Sequence, residues 1–381
     1  MSTRRGNGEG SIYKRKDGRW VGVINLGYDR GKRQRKCFYG DTRRQVAQKL
    51  RDGLSQRAGG LPLPDERTRM GSYLRMWLNE VADPRLRPST FASYEMICRR
   101  HLIPALGHLR LTEVNPQTIQ RYLNKKRRDG LSGRTVQYHH AVLRTALDRA
   151  ESWGLVPRNA AKLATPPPVQ RREIQPPSMD QAQAILAAVK HDRLEPVYLL
   201  AMATGARISE LLGLAWDDVT LKDQVVTIRA KLEYLNGVFS RSEPKTPASR
   251  RTVAIPSPAV DVLRAWKIRQ LEERLSAGPA WVGNPWNLVF TQPTGEPVSR
   301  YTVSRAFTRM LRREGLPHMR FHDLRHATAT YMLGEGVELK VVQQVLGHAQ
   351  IGVTANTYAH VVPALQRDAA RRLGNVLWGH S

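Results

Sequence analysis

The chain has 381 residues, enough for two or three domains with cores of their own. Its 61 Lys and Arg stand against 33 Asp and Glu, a formal charge of +28 with a pI near 10.8, and an excess of one sign on that scale points to a polyanionic partner, nucleic acid above all. Cys37 and Cys98 are the only cysteines, far apart and without metal-ligand spacing, which argues against a disulfide framework or a zinc site and fits a reducing cytosol.

The first residues, MSTRRGNGEG, lack the apolar run of a signal peptide, and no stretch approaches the ~20 apolar residues that span a bilayer, so a soluble intracellular chain is expected. Residues 1–60 hold 16 basic and 5 acidic side chains, so part of the excess is concentrated there. Short runs rich in Ile, Val, Tyr and Trp, broken at Asp17-Gly18 and at Asp29-Arg30-Gly31, predict a small antiparallel sheet. TRRQVAQKLRDGL follows with Val46, Leu50 and Leu54 at helical spacing. Lys14, Arg15, Arg19, Lys32, Arg33 and Arg35 alternate with Tyr13, Trp20, Tyr28 and Tyr39, a composition suited to a sheet face laid on DNA. The competing reading makes the aromatics, Trp20 first, the core of a small domain. Residues 61–67 read as a linker.

Residues 68–160 read as all-helical. Tyr73, Leu74, Trp77, Leu78 and Val81 line one helix; a second follows Pro88-Ser89, carries Phe91, Tyr94 and Ile97, and is expected to stop near Pro104 and Gly107. Asn115-Pro116 is a cap and first-turn pair, Gly130 a stop, and Ser132 opens a fourth helix with Val136, Leu143, Ala146, Leu147 and Ala150 on its buried side. Arg99, Arg100, Lys125, Lys126, Arg127, Arg128 and Arg134 are either solvated faces or phosphate contacts; the overall charge favours the latter. Residues 161–177 are rich in proline and read as an extended linker.

Residues 178–362 form a further domain. Ser178 and Gln181 make a capping box at its start, most of the rest reads as helical, and QVVTIRA and RTVAIP predict two strands of a hairpin with Lys245 in the loop between them. The segments TGARISELLGL, PKTPASRRTVAIP, FHDLRHATAT, VLGH and NTYAHV carry Arg207, Lys245, His322, Arg325, His348 and Tyr358. Such a kit can cut a phosphodiester without a metal. Arginine forks neutralise the equatorial oxygens, an ammonium protonates a leaving alkoxide, and a phenol attacks. Glu210 lies one helical turn after Arg207, placed for an ion pair or for an idle surface position. His322 and Arg325, three apart, share a helix face from which His326 points elsewhere.

These six residues in this order resemble the tyrosine recombinase, or phage integrase, family, and the resemblance covers nearly the whole chain. It implies that Arg207 and Arg325 clamp the phosphate, that His322 transfers a proton and orients the phosphate, and that His348 bonds a non-bridging oxygen. Lys245 would protonate the departing 5′ oxygen, with Lys231, Arg250 and Arg251 as competing cations, and Tyr358 would form a 3′-phosphotyrosyl bond. The implied fold is α+β, mainly helical with small sheets: an arm-binding domain of three strands and a helix, a helical core-binding bundle, and a mostly helical catalytic domain of the DNA breaking-rejoining type.

The same resemblance implies no cofactor and no metal, and double-stranded attachment sites of core and arm type as substrate. It also implies a homotetramer on DNA, a Holliday junction, and an excisionase and a DNA-bending host factor as accessory partners in a bacterial nucleoid. The basic N-terminus favours a mobile-element integrase over a chromosome or plasmid resolvase. A type IB topoisomerase shares the chemistry without exchanging partners, and a non-cleaving DNA-binding regulator would share only the binding; the helical bundle argues against the first and the full six-residue set against the second. The tail, 363–381, places Leu365, Ala369 and Leu373 on one face with Val376, Leu377 and Trp378 beyond, an apolar surface to be buried in its own domain or, as the family suggests, on a neighbouring protomer.

Overall fold

The runs around Asp17-Gly18 fold into three antiparallel strands, β1 (Ser11–Lys14), β2 (Trp20–Asp29) and β3 (Lys32–Gly40), in the order β1-β2-β3. This is a computed structural model that describes residues 10–29, 32–58, 67–169, 176–244, 249–347, 350–352, 370–371, 373–375 and 377–379. By internal contacts the chain divides into two units, Met1–Arg171 and Arg172–Ser381. Among the described residues no helix is long and apolar enough to cross a membrane.

At the first turn Gly18 takes φ 83° and the Arg15 N–H donates to the Arg19 carbonyl at 2.8 Å. Thr42 and Gln45 bond each other's backbone N–H groups to open the helix Arg43–Ala58. That helix packs its Leu50 on Ile24 and Phe38 of the sheet, and it comes so near β2 that a Cβ on Gly22 would stand 2.8 Å from Val46 Cγ1. Tyr13, Tyr28 and Tyr39 are exposed and Trp20 is half-buried, so aliphatic residues and Phe38 make this core while the tyrosines face outward with the basic side chains.

The helical bundle has its own core, from Met70, Tyr73, Leu74 and Trp77 on the first helix to Val136, Leu143 and Leu147 on the last. Its helices are Met70–Trp77, Pro88–Ile97, Pro116–Arg128 and Gly133–Ser152. Asn115 and Ser132 cap the third and fourth, accepting from Thr118 N at 2.9 Å and Thr135 N at 3.1 Å. The second helix ends where the sequence places its stop, at Leu106 with Gly107 as cap, but it is not regular on the way. It widens into a π turn over Cys98–Leu102, in which the Ile103 N–H donates to the Cys98 carbonyl, and runs on as Ile103–Leu106. The first helix does the same: a π turn over Leu78–Ala82 precedes Asp83–Arg85, which contains Pro84. A widened turn just ahead of a proline relieves the clash of its ring with the carbonyl four residues back.

Two histidines lie buried in this core. The Tyr122 hydroxyl and His139 Nδ1 are 2.9 Å apart, and His140 Nε2 lies 2.8 Å from the Ala161 carbonyl. The start of the proline-rich stretch also belongs here rather than to a linker. Ala160–Leu163 forms a 3-10 turn with Ala160 and Ala161 buried, Gln120 and Thr165 bond reciprocally, and Gln137 donates to the Pro167 carbonyl at 3.0 Å. Backbone satisfaction by two glutamines offsets what proline removes.

In the second unit the Ser178–Gln181 capping box opens Met179–Ala188. The unit then alternates helices, Glu195–Thr204, Ile208–Leu212, Ser257–Ala277, Arg300–Arg313, Asp323–Gly334 and Leu339–Leu346, with a small sheet. Strands β4 (Val219–Thr220), β5 (Val225–Ile228) and β8 (Arg251–Ala254) pair in the order β4-β5-β8, with Val226 opposite Val253. The expected partners do pair, but no simple loop joins them: a second hairpin, β6 (Lys231–Leu235) and β7 (Val238–Ser242), stands between, turning at Asn236 (φ 51°) and Gly237 (φ 85°).

Candidate active site

Arg207 is placed by a helix break. Glu195–Thr204 ends at Gly205, whose φ of 58° is left-handed, and Arg207 then takes the capping position of Ile208–Leu212 in extended conformation. A Cβ on Gly205 would lie 2.6 Å from Leu346 Cδ2, so the turn requires glycine for both its conformation and its close approach. Glu210 accepts the Arg207 backbone N–H at 3.1 Å and Nη1 at 2.6 Å, which fixes the arginine from both ends. The carboxylate is buried, not idle at the surface, and it takes a second guanidinium, Arg251 Nη2, at 3.0 Å. Burial alone would raise the Glu210 carboxyl; the charges of Arg251 and Arg207, with the Arg207 bonds, outweigh it and hold the group below its ordinary value.

Arg325 arrives from the helix Asp323–Gly334 and is 3% exposed. Its Nη1 donates to the Gly205 carbonyl at 2.6 Å and its Nη2 to the Leu346 carbonyl at 2.8 Å. Thr328, one turn on, bonds the Met202 carbonyl at 2.8 Å, so this helix is sewn to the end of Glu195–Thr204 at two points. His322 caps the same helix. Burial of its ring pushes it down to about 4, and His326, Arg325 and Arg207 add to the effect against the opposing Asp323. The residue as a whole is nonetheless exposed. The electrostatics thus place Arg207, His322 and Arg325 within one field. His326 does not point elsewhere: its ring meets that of His322 edge-on, with centroids 5.2 Å apart, because residues four apart on a helix overlie each other.

Lys245, His348 and Tyr358 lie outside the described residues. The residues that lead to Lys245 and to His348 are described. Leu339–Leu346 ends at Gly347 with φ 67°, and two arginines hold its last carbonyls, Arg251 Nε on Val345 at 2.5 Å and Arg325 on Leu346, where the helix dipole favours cations. The hairpin β6–β7 that leads toward Lys245 is anchored by Arg241, which donates to the Gly213 carbonyl and to buried Asp218, both at 2.9 Å. Of the competing cations, Lys231 is paired with Glu233 and Arg251 is committed to Glu210, while Arg250 is exposed. In sequence Arg251 is only a nearby cation; neither its strut to Glu210 nor the contact of His326 with His322 is announced there.

The basic residues expected to meet DNA belong to the first unit. Lys14, Arg15, Arg19, Arg35, Arg99, Arg100, Lys125 and Arg134 are exposed, and Lys126 is half-buried, near Tyr122. Arg99 pairs with Glu95 at 2.8 Å and Lys125 with Asp129 at 3.0 Å. The side chains of Lys32 and Arg33 lie outside the described set. In the tail, Leu373, Leu377 and Trp378 are exposed; Leu365, Ala369 and Val376 are not described.

Comparison with known proteins agrees with this architecture. The profile of the Phage integrase family matches residues 178–364, and that of the phage integrase N-terminal SAM-like domain matches residues 70–127. A XerC-like tyrosine recombinase of Caldanaerobacter subterraneus subsp. tengcongensis is 30% identical over 372 residues, 93% of this chain and 95% of that protein. An integrase of Streptomyces ambofaciens is 30% identical over 379 residues, 97% of each. The fold is that of the Tn1549 transposon integrase, solved with circular-intermediate DNA (TM-score 0.67, 20% identity, 79% of this chain and 99% of that one). It is also that of a lambda integrase dimer on a COC′ core site (TM-score 0.60, 18% identity, 94% and 96%).

Proposed function

The chain belongs to the phage integrase family of tyrosine recombinases, which cleave and rejoin DNA through a tyrosine nucleophile, and on that premise we propose that it is the integrase of a mobile element. The observation that carries the assignment of residues is that Glu210 fixes Arg207 while Arg325, on the helix that His322 opens, reaches back to the carbonyls of Gly205, two residues before Arg207, and of Leu346. Arg207 and Arg325 supply positive charge that is already oriented when the phosphate's equatorial oxygens gain negative charge, which is where such a reaction needs stabilisation. His322, neutral at pH 7, accepts the proton of the Tyr358 hydroxyl or bonds a phosphate oxygen through its N–H. A phenol with an ordinary value of about 10 attacks poorly, and the cation cluster favours its ionised form. Lys245 donates the proton to the 5′ oxygen, and the phosphotyrosine conserves the bond energy so that rejoining needs no nucleotide.

The domain assignment follows: the sheet module reads arm sites, the bundle covers core DNA with Arg99, Arg100, Lys125, Lys126 and Arg134, and the second unit cuts. Lambda integrase has been seen as a tetramer on a Holliday junction, and the same assembly, with exchange of the tail, is proposed here. The exposed tyrosines and arginines of β1–β3 support integration with arm-site reading over chromosome resolution. Exchange between two attachment-site duplexes tests this reading. A protein starting near Pro64 should still cut and rejoin core sites while losing integration efficiency and arm binding, and arm binding should fall steeply with salt. Undiminished integration by the truncated protein would overturn the arm assignment.

A further inference from the structure

Arg251 takes no part in the six-residue chemistry, yet three pieces of the site meet on it. It opens β8, six residues after Lys245 in sequence, and its side chain is 7% exposed. Nη2 donates to Glu210 at 3.0 Å, Nη1 to the Ser249 carbonyl at 3.0 Å, and Nε to the Val345 carbonyl at 2.5 Å. Those partners belong to the helix that holds Arg207, to the strand entry that follows the Lys245 loop, and to the helix end that leads to His348. A planar fork with donors on three nitrogens can satisfy all three at once; an ammonium on a flexible stem cannot.

We propose that Arg251 is a positioning residue for strand cleavage: it locks Glu210, and through Glu210 the Arg207 guanidinium, in register with the 345–347 turn and the root of the Lys245 loop. Arg207 has a side chain 39% exposed and keeps its orientation through Glu210 alone among its described partners. Glu210 in turn is held from its far side by Arg251. Loss of the Arg251 fork unties the carboxylate from the helix end, so Arg207 and the helix end that precedes His348 no longer move as one body. A displacement of about 1 Å at such a clamp costs on the order of 100-fold in rate.

The test uses the full chain on a nicked half-site, with covalent adduct followed in time at saturating protein. Arg251→Gln is expected to slow adduct formation by about 100-fold while half-site affinity stays within about threefold, a loss in the chemical step rather than in binding. Arg251→Lys keeps the charge and is expected to recover about tenfold of that loss. The double variant with Glu210→Gln should be no more than about threefold slower than the worse single variant, because both remove one strut. Cleavage by Arg251→Gln at the parent rate overturns the inference, and so does equal loss of half-site binding in Arg251→Gln and Arg251→Lys, which would make Arg251 part of the scaffold only. The inference rests on Tyr358 chemistry: a parent protein that forms no adduct overturns that reading instead.

Discussion

Arg325 Nη1 and the carbonyl of Gly205 lie 2.6 Å apart across 120 residues of sequence. The bond explains why Arg325, proposed above as a phosphate clamp, is 3% exposed: its fork is stretched between the turn that presents Arg207 and the helix end before His348. Gly205→Ala should therefore damage the site more than the fold. Forcing a Cβ into a left-handed residue and against Leu346 costs about 2–4 kcal/mol, seen as a lowered thermal midpoint, and cleavage should fall further than that instability explains. A parent-like midpoint and cleavage rate would show that the turn has room to adjust.

Glu210→Gln leaves Arg207 and Arg251 facing each other without a carboxylate. Breaking a buried pair costs on the order of 3 kcal/mol, discounted here because Arg207 is partly exposed. The pH dependence has a definite sign. A carboxyl held low in the folded state contributes stability above its unfolded value of about 4.3 and loses it as pH falls through the folded value. Denaturant titrations between pH 3 and 6 should show the parent losing stability toward acid more steeply than Glu210→Gln; parallel curves would contradict this.

His322 should titrate near 4 in the DNA-free protein, by NMR of its ring carbons. Its folded value lies below the unfolded value of about 6.5, so the unfolded chain binds more protons between the two, and stability present above 6.5 is lost as pH falls toward 4. Binding of scissile-phosphate DNA adds negative charge and should raise the value. A free-protein titration near 6.5, or a rise on DNA that leaves the ring protonated at neutral pH, would remove the neutral-imidazole account.

Lys245→Ala should be rescued in part when the leaving 5′ oxygen is replaced by sulfur, which departs without a proton. Equal defects on both substrates would indicate that the lysine supports structure, or that Lys231 protonates the leaving group.

Much of this is legible in the sequence because local chemistry is written locally. The Ser178 capping box, the Asn115 and Ser132 caps and the bundle stripe from Tyr73 to Ala150 need only neighbours three or four residues away. Arg207, His322 and Arg325 are marked by their own short patterns. The Asn236-Gly237 dipeptide carries an equally local turn signal, though the flanking strands alone suggest one long loop there. The π turn ahead of Pro104 is not readable, because no residue type announces it. Nor is the role of Arg251, whose partners lie 41 and 94 residues away. His139 and His140 look polar in sequence and are buried because Tyr122 and the Ala161 carbonyl receive them.

The central claim is that Tyr358 attacks DNA in a field of protein cations. The most direct measurement incubates the full chain, in excess chelator, with a nicked attachment-site duplex recovered from the DNA flanking its gene, and maps the peptide left on the 3′ phosphate after denaturation. The account predicts an adduct at Tyr358 that forms at the same rate with or without chelator, and its loss in Tyr358→Phe while half-site binding remains. An adduct on another of the 12 tyrosines, its persistence in Tyr358→Phe, or its loss in chelator would contradict the account.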